Sequence, residues 1–247
     1  MNKKVFFALV ILVLVALACT FTPVTAVPTP TTTQPPVINN PTQPPAVNNP
    51  TQPTAGGGGN GQQILFQDDF SNVNSGWDRT TNDYGSIDYA NGGYRINVIQ
   101  TTSYFFSTPY QSFQNDVRIE VDATKIGGPD DNAFGVQCRY QDAKNFYYFY
   151  ISSDGYVGIG IDNAGTKTII SSSDGNLVSN SSINQGAATN HLRADCIGST
   201  LTLYVNGTQA AAATDSTFTG GDVGLVAKTY TIAGTDIMFD NFFVYKP

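Results

Sequence analysis

The sequence predicts an all-β domain, a sandwich or barrel, over residues 64–247. Two features carry that prediction. Short alternating apolar and polar runs recur throughout the segment, and turn signals such as Asn91-Gly92-Gly93, Asp154-Gly155 and Asn206-Gly207 separate them. No stretch keeps a helical spacing of apolar residues.

In chain order the expected strands are ILFQDDF from Ile64, YRINVIQ from Tyr94, NDVRIEVDA from Asn115 and AFGVQCRY from Ala133. NFYYFYIS from Asn145, YVGIGID from Tyr156 and TKTIIS from Thr166 follow. The last four are HLRADCI from His191, TLTLYVN from Thr200, DVGLVAK from Asp222 and DIMFDNFFVY from Asp236.

The aromatic run Phe146–Tyr150 fixes a register. A two-residue turn at Asp154-Gly155 would mix apolar and polar positions on both faces. A three-residue loop, Ser153–Gly155 with glycine in the left-handed region, sets Ile151 opposite Val157, Phe149 opposite Ile159 and Tyr147 opposite Ile161. One face is then uniformly apolar. The other carries Tyr148 opposite Gly160 and Tyr150 opposite Gly158. On the preceding strand Val136, Cys138 and Tyr140 share the apolar parity, which leaves Gln137 and Arg139 beside the two tyrosines. An aromatic shelf over a side-chain-free floor, edged by amide and guanidinium, suits a sugar, and equally suits an ordinary strand face on which tyrosines cover cross-strand glycines. Trp77, the only tryptophan, lies in a loop-like segment and reads either as a ligand contact or as a core plug.

The N-terminus reads as an export signal over residues 1–18: a basic start at Lys3-Lys4, an apolar run from Val5 to Ala18, then Cys19. The run falls short of the roughly 18–20 residues that span a bilayer. VALA-C resembles the bacterial lipobox, which implies lipidation of Cys19 and attachment to a membrane through that anchor only. Residues 19–63 read as a spacer, with ten of the thirteen prolines and a TQPPVINNP/TQPPAVNNP repeat. Extended as polyproline II it would reach roughly 140 Å, and as a coil nearer 40 Å. Cleavage would leave 10 basic against 19 acidic side chains. That balance argues against nucleic acid as a partner.

With Cys19 assigned to lipid, Cys138 and Cys196 form an even pair in an oxidising compartment, both of inward parity, and a disulfide is favoured over two buried thiols. Asp68-Asp69 near the start, with Asp236, Asp240 and Asn241 near the end, form a candidate calcium site for which Asp69 and Asp240 are the leading ligands. The loop at 127–132 is a second acidic segment.

NHLRADCIGSTLTLYVNG (190–207), GDVGLVA (221–227) and FDNFFVY (239–245) resemble the concanavalin A-like lectin/glucanase superfamily, in particular laminin G-like domains and the 3-keto-disaccharide hydrolase type. The resemblance implies a two-sheet antiparallel jelly-roll sandwich whose concave sheet often binds glycans. The superfamily's glucanases carry paired glutamates as E-x-D-x-x-E. Here Glu120 is the single glutamate, Asp122 follows, and Lys125 stands where the second glutamate would be. His191 is the single histidine. The reading is a surface lipoprotein that displays a carbohydrate-binding domain, with Tyr148, Tyr150, Arg139, Gln137 and Trp77 as ligand contacts and calcium as a candidate ion, against the turn and solvation roles that aspartates at strand ends usually serve. The alternatives are a glycoside-cleaving enzyme and an adhesion module that binds protein.

Overall fold

The computed structural model describes residues 62–247. The expected signal peptide, Cys19 and nearly all of the spacer lie outside the described residues. In chain order the strands are β1 (Ile64–Asp68), β2 (Thr80–Asn82), β3 (Gly85–Ala90), β4 (Gly93–Val98), β5 (Tyr104–Ser107) and β6 (Ser112–Phe113). Next come β7 (Val117–Gly127), β8 (Asn132–Asp142), β9 (Asn145–Ile151), β10 (Tyr156–Asn163), β11 (Thr166–Ile169) and β12 (Val178–Ser179). The chain closes with β13 (Thr189–Ile197), β14 (Thr200–Val205), β15 (Thr208–Thr214), β16 (Gly221–Thr229) and β17 (Thr235–Tyr245).

They form two antiparallel sheets. The first runs β15-β14-β13-β7-β17-β4-β3-β2, with β1 also paired to β17. The second runs β11-β10-β9-β8-β16-β5, with β12 on β10 and β6 on β16. Strands distant in sequence are neighbours in both, because the chain crosses between the sheets: β7 lies between β13 and β17, and β16 between β8 and β5.

Alternation builds the layer between the sheets. In β7, Val117, Ile119, Val121 and Ala123 point inward while Arg118, Glu120, Asp122 and Thr124 point out. Tyr147, Phe149 and Ile151 of β9 and Phe239 and Val244 of β17 join the same core. Each buried Val, Ile or Phe among them contributes about 1.5–3 kcal/mol by leaving water. The Asn91-Gly92 and Asn206-Gly207 hairpins adopt positive φ at both turn residues, +53° and +80°, and +50° and +82°. Those angles match the right-handed twist of the flanking strands.

The β9–β10 hairpin adopts the register that buries one face: Ile151 opposes Val157, Phe149 opposes Ile159 and Tyr147 opposes Ile161. Gly155 takes φ +98° in the loop. A disulfide joins Cys138 of β8 to Cys196 of β13, with Cα atoms 6.9 Å apart, and so ties the two sheets through the core.

Candidate functional site

The outward positions of the second sheet make a second apolar cluster, separate from the core. Phe146, Tyr148, Tyr150, Ala133 and Val226 are buried in it, with Phe106, Tyr140, Ile169, Leu177 and Tyr230 packed at its edge. Rings touch in series across the face. Phe106 lies 5.4 Å from Tyr140, Tyr140 lies 5.7 Å from Phe146, and Phe146 lies 6.1 Å from Tyr148. Tyr148 and Tyr150 stand 4.6 Å apart. The glycine floor expected beneath the tyrosines is present and already covered. A Cβ on Gly160 would sit 2.1 Å from Cζ of Tyr148, and one on Gly158 would sit 2.5 Å from Cδ2 of Leu177. Tyr148 and Tyr150 are 3% and 5% exposed, so they offer edges and hydroxyls rather than open faces.

Gln137 lies on this face, pairing with Tyr148 across the ladder. It is wholly buried, and neither amide atom has a hydrogen-bond partner. Arg139 departs from its expected place beside Gln137. The β8 register shifts after Cys138, and Arg139 takes φ +52° in a bulge. The extra residue reverses the parity. Arg139 therefore turns away and donates to the carbonyls of Phe218 (2.9 Å) and Cys196 (3.4 Å) and to Asp116 (3.3 Å). Tyr140, expected inside, comes out onto the aromatic face instead. Gly221 permits this, because a Cβ there would lie 2.5 Å from the Tyr140 carbonyl oxygen.

Trp77 is placed in the core rather than at a surface. It is 4% exposed, packs edge-on against Phe242 at 5.0 Å, and donates from Nε1 to Asp68 Oδ2 at 2.9 Å.

Two clefts flank the aromatic ridge. The first, of about 660 Å³, is lined by Asp78, Phe106, Tyr110, Gln114, Tyr140, Gln141 and Asp222 among others. Tyr110 is 70% exposed and donates its hydroxyl to Asp78 Oδ1, which pushes its pKa up to about 12. Asp222 accepts from the backbone N–H groups of Gln111 and Val223. Burial still raises its pKa, and the charge of Asp78 adds to that shift. Among the described residues no basic side chain lines this cleft. It combines aromatic edges, two carboxylates and two amides.

The second cleft, of about 360 Å³, is lined by Tyr148, Tyr150, Lys167, Ile169, Leu177, Lys228 and Tyr230 among others, with no carboxylate. Burial raises the Tyr150 pKa well above its usual value and that of Tyr230 to about 12. Burial, then the charge of Lys167, lowers that of Lys228. Tyr148 and Tyr150, the leading ligand contacts expected from the sequence, thus reach a cleft at its floor.

On the outer face of the first sheet, His191 Nδ1 lies 2.8 Å from Asp122 Oδ1, and Nε2 lies 3.5 Å from Glu120 Oε2. Asp122, then Glu120, raise the histidine pKa to about 9. Asn241 donates to the other Asp122 oxygen at 2.9 Å. Asp240 is close enough for burial and the charges of Asp122 and Asp69 to raise its pKa. Asp69 accepts from the Ser71 hydroxyl at 2.7 Å and from its N–H at 3.1 Å. Among the described residues no three His, Cys, Asp or Glu side chains converge as a metal site.

The architecture is a two-sheet antiparallel jelly-roll sandwich. No protein-family model matches the chain, and no curated protein does. Solved structures share the fold. The carbohydrate-binding module CBM66 from Bacillus subtilis aligns at TM-score 0.55 and 20% identity, covering 69% of this chain and 96% of its own. A Bacillus subtilis protein of unknown function with a galectin-like fold aligns at 0.54 and 10%, covering 74% and 96%. A GlcNAcα1-4Gal-releasing endo-β-galactosidase from Clostridium perfringens aligns at 0.54 and 10%, covering 79% of this chain and 65% of its own.

Proposed function

We propose that this protein is a carbohydrate-binding module whose ligand lies across the outer face of the second sheet, held at a membrane by lipid on Cys19. The observation that carries the reading is the first cleft. Tyr110 and Tyr140 offer aromatic surface for pyranose C–H groups, while Asp78, Asp222, Gln114 and Gln141 can bond hydroxyls. Few, well-placed polar groups among aromatic walls are what small-ligand sites require. A carbohydrate-binding module and a galactosidase among the neighbours of this fold support the same direction. The disulfide supports an exported setting, since such bonds persist in oxidising compartments.

A glycan array probed with the purified protein tests the reading, with Tyr110→Ala as the site variant because that exposed ring adds little to folding. Binding that falls at least about tenfold in the variant supports the site, on the scale of a buried aromatic contact. Retained binding in a folded Tyr110→Ala protein moves the site elsewhere. Adding chelator asks whether calcium at Asp69 and Asp240 contributes.

A second reading is glycoside cleavage, favoured by one observation: a carboxyl of raised pKa, Asp222, shares a cleft with a second carboxylate, Asp78. That division of roles is the one acid-base hydrolysis uses. It predicts product release that Asp222→Asn abolishes.

A further inference from the structure

The geometry points to an acidic sugar, one bearing a carboxylate or sulfate, as the group held in the second cleft. This deepens the carbohydrate reading and rests on it. Three observations carry it.

First, the cleft is built of donors. Lys228 and Lys167 present ammonium groups, Tyr148, Tyr150 and Tyr230 present hydroxyls, and no carboxylate lines it, in a chain where acidic side chains outnumber basic ones 19 to 12. Asp162, the carboxylate whose charge reaches Tyr148 and Tyr150, is not among the lining residues and is paired with Lys167.

Second, Lys228 has no counter-charge among the described residues. Arg95, Arg118, Lys125, Arg139 and Arg193, the other buried or half-buried basic side chains described, each meet a carboxylate. Lys167 is paired with Asp162. Lys228 faces only the Tyr230 ring, 4.5 Å from its centroid, and the like charge of Lys167. A half-buried cation with no partner costs stability, and an anionic ligand would offset that cost.

Third, Leu177 and the tyrosine edges give the same cleft apolar walls, as a pyranose ring needs and a free inorganic anion does not. The two clefts differ in charge sign across one ridge, so an acidic unit on the Lys228 side and a neutral unit on the Asp78 side can belong to one chain of sugars.

The test is an array carrying uronate, sialate and sulfated glycans, each beside a neutral counterpart (methyl-esterified or desulfated), probed with wild type, Lys228→Met and Lys228→Arg. Acidic glycans are expected to bind best. Lys228→Met should weaken them about tenfold or more, as loss of a charge-assisted bond predicts, and should leave neutral counterparts unchanged. Lys228→Arg should restore most of the binding. Whether carboxylated or sulfated glycans respond tells which anion is held. The melting temperature of Lys228→Met should not fall, because no internal partner is lost, which separates a binding defect from misfolding. Neutral glycans bound as well as acidic ones, with Lys228→Met indifferent, would overturn the acidic-sugar inference and leave the carbohydrate reading standing. No glycan bound at all would overturn both.

Discussion

Replacing Cys138 and Cys196 by alanine removes the disulfide that links the two sheets through the core, and its cost can be worked out. The bond closes a loop with a sequence separation of 58. In the chain-entropy model such a closure removes about 14 cal/mol/K from the unfolded chain, or about 4 kcal/mol at 25 °C. Unfolding a domain of this size carries an entropy of about 0.4 kcal/mol/K, so the melting temperature should drop by about 10 °C. The decisive assay is a double-mutant cycle in urea. If the bond is formed, each single alanine variant already loses the whole cross-link, and the double variant adds little. If the two sulfurs were free thiols, the single effects would add and each would remain near the cost of a small cavity. Additive losses summing to under about 2 kcal/mol would mean that the two sulfurs are not bonded. Binding well below the melting temperature should change little, because the bond lies in the core and not on the outer face.

Trp77→Phe should cost about 1–3 kcal/mol, because it leaves the buried Asp68 carboxylate without the indole donor; circular dichroism in urea measures it, since tryptophan fluorescence disappears with the residue. Gly160→Ala puts a methyl group into the Tyr148 ring, which can swing aside, whereas Gly135→Ala drives a Cβ to 2.0 Å from the Phe149 carbonyl oxygen. The ring can yield and the backbone cannot, so Gly135→Ala should be the more destabilising of the two in urea melts. His191 should titrate near 9 by NMR. Its folded pKa exceeds its unfolded value, so its contribution is complete below about pH 6.5 and is lost as pH rises through about 9. Wild type should therefore lose more stability than His191→Gln between pH 7 and pH 10.

Strand alternation made much of the fold legible. The β9–β10 register followed from requiring one uniformly apolar face, and the Asn-Gly turns carried their own backbone chemistry. β15 escaped because Ala210–Ala213 show no alternation to read, and β2, β6 and β12 because two or three residues carry no period. The candidate site was legible only in part. Parity put Tyr148 and Tyr150 on the outer face, but their burial there depends on packing with Leu177, which comes from a different segment. Arg139 and Tyr140 were assigned to the wrong faces because a bulge is a two-strand event, set here by the approach of Gly221. The first cleft is assembled from residues near 78, 110, 140 and 222, and no local pattern could have gathered them. Trp77 was undecidable until its partners Asp68 and Phe242 were placed.

Glycan binding on the outer face of the second sheet can be mapped by amide chemical shifts of the labelled protein titrated with its best array ligand. Shifts should cluster on β5, β8 and β16 around Tyr110, Tyr140 and Asp222, reaching Lys228 when the glycan is acidic. Shifts confined to the first sheet, around His191 and Asp240, would contradict it.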